Sequence, residues 1–368
     1  MEPNIYGPSQ VVVNLNHIRH NVKEELKRLD HGTSLYAVVK ANGYGHGAIE
    51  VAKAAIEAGA TGLCVSNLNE AIELRKNEMT EPILVMGYVS LKYLDIVLEH
   101  DITLTATNLE WLKELDKRVT KEIKIHLKID TGMGRIGLND SEEMKLANKL
   151  LKSNPLINFE GLFTHFSKAD SKDNHHFELQ QRRFSNALTI FGEDIPYIHT
   201  SNSATALWHD AWKSNLVRYG DAMYGMNPSG SELDEPFKLK QALTLETEII
   251  HIKEVEKGEK IGYGATYETS SKEWIATLPI GYADGLIRKF QGFNCLVNGK
   301  QAPIVGRICM DQCMIRVDGY LPIGTKVTIL GRDGDLFNSV QKGAEYVDTI
   351  NYEVTCGLTD RLPRVYIE

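Results

Sequence analysis

The stretch "AVVKANGYGHG", residues 37–47, ends an apolar run on Lys40 and follows it with three glycines and Tyr44. A primary amine at the end of a core segment is either a side chain reaching for solvent or a reactive group, because lysine is rarely buried without a partner. Its company decides between them. Later apolar runs end in the same polar fashion: "KIHLKID" carries Lys128 and leads to Arg135, "FEGLFTHF" holds His165, "YIHTS" leads to Asn202 and Ser203, and "NLVRYG" carries Arg218. An amine among glycine backbone donors, hydroxyls and cations suits a Schiff base with pyridoxal phosphate, the phosphate being held by those donors.

The elements that must position these residues are legible as a rhythm. From residue 35 onward, eight β-rich runs ("LYAVVK", "GLCVS", "PILVMG", "ITLTAT", "KIHLKID", "FEGLFTHF", "YIHTS", "NLVRYG") recur, most of them separated by amphipathic segments such as "AIEVAKAAIEAG" and "SEEMKLANKLLKS". The second of these opens on a Ser/Asp-rich start suited to cap a helix. Eight alternating βα units predict a (β/α)8 TIM-type barrel, with chemistry at the C-terminal ends of the strands. Lys40, Lys128, Arg135, His165, Asn202, Ser203 and Arg218 then share one rim. Helical spacing stops after "NPSGSELDEPFKLK", residues 227–240. The expected division is therefore a barrel over 1–232 and a mainly antiparallel β domain over 233–368, with the early run "VVVNL" free to pack with either.

Composition narrows the partners. The 368-residue chain carries a formal charge of −8 and no basic run interleaved with aromatics, so a nucleic acid is not expected. No stretch approaches the roughly 18 consecutive apolar residues of a membrane helix, and "MEPNIYGPSQ" lacks a signal-peptide pattern, so no membrane association and a cytoplasmic location are expected. Five scattered cysteines suit reduced thiols. Adjacent His175 and His176 in "DNHHF" cannot converge on a metal without other ligands, and no metal is expected. "GMGRIG", residues 132–137, formally matches a dinucleotide-binding fingerprint, with Glu160 further on. A lone match at the fifth strand is weak and leaves Lys40 without a role.

The stretches "AVVKANGYGHG", "HLKIDTGMGRIG", "THF", "HTSNSA", "IGYGATY", "IGYADG", "GRICMDQ" and "DTINYEV" closely resemble bacterial alanine racemases, in the same order and spacing over nearly the whole chain. The resemblance implies that Lys40 binds pyridoxal phosphate, that Tyr44, Ser203, Gly220 and Tyr352 surround its phosphate, and that Arg218 faces the pyridine nitrogen. Asn202 and His165 fall among the matching cofactor-site positions. It implies that Arg135 reaches both the cofactor phenolate and the substrate carboxylate, and that Lys128 corresponds to a lysine carried by many members as a carbamate. It further implies a head-to-tail homodimer with shared active sites, in which Tyr263 is the second catalytic base and Met310 contacts the substrate carboxylate, each supplied by the partner subunit. The implied activity interconverts L-alanine and D-alanine for peptidoglycan synthesis, with serine as the alternative substrate.

One departure stands out: "RYGDAMYG" puts Asp221 where the family more often has an apolar residue whose amide reaches the phosphate. A carboxylate beside a phosphate repels it unless the side chain turns away. The chemistry otherwise agrees with the residue types. Inverting a carbon in both directions is simplest with a base on each face, here Lys40 and Tyr263. A tyrosine ordinarily titrates near 10, so nearby positive charge must help it, and His165 with Arg218 are the expected source. Arg218 offers only donors, which suits an unprotonated ring nitrogen. A cofactor carrier has no use for Tyr263 and Met310, and barrel decarboxylases place a carboxylate where Arg218 stands.

Overall fold

The structure, a computed structural model, describes residues 3–368. It divides into two compact units. One spans Ile18–Gly43 and Ala48–Lys240; the other takes the residues up to His17, Tyr44–Gly47 and Gln241–Glu368. The chain therefore leaves the first unit for the last four residues of "AVVKANGYGHG". After an initial strand β1 (Gln10–Asn14), the first unit supplies β2 (Ser34–Val38), β3 (Gly62–Val65), β4 (Ile83–Val85), β5 (Thr103–Ala106), β6 (Ile123–Lys128), β7 (Ile157–Phe163), β8 (Tyr197–His199) and β9 (Leu216–Tyr219).

Strands β2 to β8 pair in parallel in sequence order and β9 returns to pair with β2. Backbone bonds from Asn215 N to Ile198 O and from Arg218 N to Ser201 O tie β9 to the β8 side, so the eight parallel strands close into a (β/α)8 barrel. Short runs such as "GLCV" and "ILV" are buried at every position, as a sheet covered on both faces requires. The intervening helices are capped where the sequence provides for it. Asp140, for example, accepts from the amides of Glu142 and Glu143 at 2.9 and 3.0 Å and starts the helix Ser141–Ser153.

The second unit is built on a ten-stranded, mainly antiparallel sheet. β1 belongs to it, pairing antiparallel with β10 (Leu243–Glu248) and parallel with the C-terminal strand Arg364–Ile367. Alternating apolar side chains explain this choice, since Val11 and Val13 are fully buried on one face. The barrel unit extends to Lys240, beyond the expected boundary at 232, because Lys240 exchanges two hydrogen bonds with the side chain of Asn21 on the first helix of the barrel.

That helix, Leu15–Leu26, also buries an acid. Glu25 is fully enclosed and paired with Arg28 Nη1 at 3.1 Å, and burial, opposed by Arg28, pushes its carboxyl up to about 7. The folded value lies above the ordinary carboxylate value of 4.5, so the stability linked to this group is complete below pH 4.5 and is lost as pH rises through 7. Glu25→Gln should therefore melt with the wild type at pH 4 but be more stable at pH 8, by up to about 3 kcal/mol. Equal melting curves at both pH values would show that Glu25 is solvated.

Candidate active site

Lys40 stands two residues after the end of β2 and opens a left-handed turn in which Ala41, Asn42, Gly43 and Tyr44 all have φ between 51° and 60°. Three of these residues are not glycine, and each such conformation costs roughly 1–2 kcal/mol. The cost is offset by bonds to side chains: Ala41 N donates to Glu70 Oε1 at 2.8 Å, and Asn42 Oδ1 accepts from Ala48 N at 2.9 Å. Strain of this kind persists only where the surroundings over-determine it, and it collects at functional sites. Here it fixes the backbone that carries Lys40.

The polar residues expected on the barrel rim do converge. His165, just after β7, has its pKa driven well below the ordinary value by burial and then by Arg218, Lys128, Arg135 and Lys40, so four cations from the turn after β2, from β6, from β9 and from the loop after β6 act on one imidazole. Lys128 is buried, donates to Ile129 O at 2.7 Å, and stands 5.6 Å from the centre of the Phe163 ring. Burial and then Arg218 push its ammonium down to about 7, with Arg135 adding to the effect. Arg218 is buried on the same ring, its guanidinium carbon 5.4 Å from the centroid.

"GMGRIG" does not form a strand-to-helix turn. Its loop folds back along β6: Asp130 Oδ1 accepts from Gly132 N and Gly134 N at 3.0 Å each, and Leu138 N donates to Lys128 O. At Gly137, φ is +121° and a Cβ would lie 2.6 Å from Asp130 N, so only glycine permits the return. The loop thus presents Arg135 at the rim, exposed, and the dinucleotide reading falls.

On the opposite side of the rim, Ser203 Oγ accepts from Gly220 N at 2.9 Å. Asn202 caps the helix Ser203–Trp208 through Thr205 N and lies 3.4 Å from His165 Nε2. Asp221 is buried at the start of a 3-10 turn, Asp221–Tyr224. His165 makes no hydrogen bond to Arg218. Arg218 Nη1 instead donates to His199 Nδ1 at 2.8 Å and to His199 O, while Nη2 donates to Thr164 O and Thr200 O. Among the described residues only Nε–H finds no acceptor, which fits a ring nitrogen with a lone pair, and the surrounding cations fit a ligand bearing phosphate and phenolate charge.

Sequence reasoning missed His199, His126 and Phe163. His126 stands two residues before Lys128 on β6, so strand alternation puts both on one face, and that signal was available.

The second unit positions the remaining candidates. Tyr44 and Tyr352 have ring centres 5.9 Å apart. A Cβ at Gly45 would lie 2.2 Å from Thr355 O, and Arg364 Nε donates to Gly45 O at 3.0 Å, so this short segment is pressed against the C-terminal part of its unit. Tyr263 sits between Gly262 and Gly264, both at positive φ, and is 71% exposed; Met310 is 53% exposed. The two surfaces are braced from behind, since Ala283 N donates to Met310 O and a Cβ at Gly264 would meet the Arg307 guanidinium at 2.9 Å. Among the described residues no helix is long and apolar enough to cross a membrane, and no cluster of three or more His, Cys, Asp or Glu residues is placed to hold a metal.

Comparison with known proteins finds relatives that match over nearly the full chain. The alanine racemase N-terminal domain model matches residues 13–228 and the C-terminal domain model residues 242–366. The alanine racemase of Pediococcus pentosaceus is 50% identical over 365 residues, covering 99% of this chain and 98% of its own. The crystal structure of alanine racemase from E. faecalis covers 100% of both chains at 49% identity with a TM-score of 0.98. That of alanine racemase from Bacillus anthracis with bound L-Ala-P has a TM-score of 0.94 at 44% identity and covers 99% of this chain and 96% of its own. By sequence and by fold, the chain belongs to the alanine racemase family.

Proposed function

We propose that the protein interconverts L-alanine and D-alanine with pyridoxal phosphate, as a cytoplasmic homodimer that supplies D-alanine for peptidoglycan. The observation that carries this reading is the convergence of Lys40, Lys128, Arg135 and Arg218 around His165 at one end of the barrel. When bound, pyridoxal phosphate supplies the electron sink for the charge left on the α-carbon. The chain supplies everything that directs it. Lys40 holds the cofactor aldehyde and serves as base on one face. Arg218 would face the ring nitrogen with its Nε–H and, being unable to accept, would leave it unprotonated. Ser203, Asn202, Gly220, the amide of Asp221, Tyr44 and Tyr352 would surround and hold the phosphate.

Arg135 binds the substrate carboxylate, assisted by the partner subunit's Met310. The partner subunit's Tyr263 is the base on the other face, so that one group takes the α-proton as the other returns one. The exposure of Tyr263 and Met310 in a single chain supports their use by a second copy. The amide of Asp221 serves the phosphate provided that its carboxylate faces away from it. Its near-complete burial is in keeping with that orientation.

Lys128 is the candidate carbamate. An amine brought down to about 7 is available unprotonated near neutrality. Its Nζ attacks carbon dioxide, forms an N–C bond and releases a proton, turning a cation beside Arg135 and Arg218 into an anion. Protein equilibrated with ¹³C-bicarbonate should show a carbamate carbon resonance that is absent from Lys128→Arg. The same spectrum for both proteins would assign the carbamate elsewhere.

Two dead variants test the shared site. Lys40→Ala and Tyr263→Ala homodimers should each fail to racemise L-alanine, D-alanine or L-serine. Mixed under subunit exchange, they should recover about a quarter of wild-type activity toward alanine, because half the dimers are hybrid and each hybrid has one complete site. No recovery in demonstrated hybrids would mean that each chain builds its own site.

A further inference from the structure

The interior of a (β/α)8 barrel is normally filled with branched apolar side chains. In this chain a string of titratable groups runs through it instead. Behind Arg218 lies His199 Nδ1 at 2.8 Å; His199 Nε2 is 2.7 Å from His126 Nδ1; His126 Nε2 is 3.4 Å from Glu160 Oε1, which also accepts from Thr103 Oγ1 at 3.1 Å. Both imidazoles are fully enclosed. None of these groups but Arg218 has a part in the reaction described above.

We propose that His199, His126 and Glu160 form a one-directional hydrogen-bond relay that holds Arg218 in its working orientation, with His199 as the positioning residue that touches it. This rests on the reading that Arg218 meets the cofactor ring nitrogen. The direction follows from chemistry. A guanidinium can only donate, so His199 Nδ1 must accept and the ring proton sits on Nε2. That proton is given to His126 Nδ1, which therefore also accepts, and His126 Nε2–H points to the Glu160 carboxylate. One tautomer is fixed at each ring, and burial keeps both rings neutral by driving their pKa values down.

The backbone around the relay is shaped for it. In the β6–β7 ladder Ile125 pairs with Phe159 but His126 pairs with Gly161, so Glu160 is an extra, bulged residue. A bulge re-aims a side chain, and this one delivers the carboxylate to His126. Its neighbour Gly161 leaves the room, since a Cβ there would lie 2.4 Å from Cγ and Nδ1 of the His126 ring. The His199 ring lies flat on Phe163 at 4.5 Å and 5°, and the His126 ring stacks on Tyr197 at 5.7 Å. A buried polar network is worth keeping only when every member is satisfied, and here each ring nitrogen has its partner.

The consequence falls on Arg218. With both hydrogens of Nη1 committed to His199 and those of Nη2 to Thr164 and Thr200, Nε–H is the single donor left to face the cofactor. Removing the acceptor at His199 leaves a buried N–H unpaired and frees the guanidinium to turn, a loss of roughly 10- to 100-fold in whatever depends on its orientation.

The test uses the cofactor-loaded dimer and two readouts. In ¹⁵N-histidine-labelled protein without substrate, His199 and His126 should each show the neutral, Nε2-protonated tautomer, their signals identified by their loss in His199→Asn and His126→Asn. His199→Leu should lower kcat for alanine roughly 10- to 100-fold with KM nearly unchanged and shift the visible absorption of the bound cofactor, and His199→Asn, which keeps an acceptor near the Nδ1 position, should restore most of both. Glu160→Gln, distant from Arg218, should move the His126 Nε2 signal. An Nδ1-protonated His199, or a His199→Asn variant as damaged as His199→Leu, overturns the relay; should His199→Leu not fold, the tautomers and Glu160→Gln still decide. A wild type that shows these tautomers but does not racemise alanine would defeat the functional reading and leave the relay standing.

Discussion

A guanidinium enclosed in a barrel must find an acceptor for each of its hydrogens or leave that hydrogen unpaired at a cost of about 1–3 kcal/mol. Arg218 meets this demand for four of its five hydrogens with carbonyls of Thr164, His199 and Thr200 and with one imidazole nitrogen, all at the ends of neighbouring parallel strands. Carbonyls at strand ends are available because the ladder stops there. The barrel thus provides the acceptors, and the arginine in turn ties β7, β8 and β9 together at the rim. Everything else at that rim is arranged around a permanent positive charge.

That charge explains the neighbours. Lys128, pressed between burial and Arg218, gives up its proton easily, and His165 is kept neutral. The Phe163 ring beneath Arg218 and Lys128 offers a π-face to both cations without placing a carboxylate beside them. The nearest acid in the chain of contacts, Glu160, is kept two imidazoles away.

The other constraint lies in the backbone of "AVVKANGYGHG". Four successive left-handed residues reverse the chain immediately after the lysine, and Glu70 and Asn42 bind the amides that the turn exposes. The next four residues belong to the second unit, where Gly45 has no room for a side chain and Arg364 holds its carbonyl. Lys40 is accordingly carried on a segment whose backbone is fixed on its C-terminal side.

The sequence by itself determined the eight-fold alternation, the rim residues and the family, because strand periodicity, helix caps and motif order are local properties that survive in one dimension. It showed Lys40, Lys128, Arg135, His165 and Arg218 as strand-end groups but could not show which of them touch. His165 and Arg218, expected together as a source of positive charge, are not bonded to each other, and Arg218 bonds instead to His199, since partners across a closed barrel depend on register and on which face each side chain takes. The bulge at Glu160 is invisible in "NFEGLF", as an extra residue is defined only against the strand it pairs with. The assignment of β1 to the second unit and the extension of the barrel to Lys240 were likewise decided by long-range pairing, with β10 and with Asn21 respectively. Local chemistry fixed which residues are available, and tertiary packing, by closing the barrel, decided which of them meet.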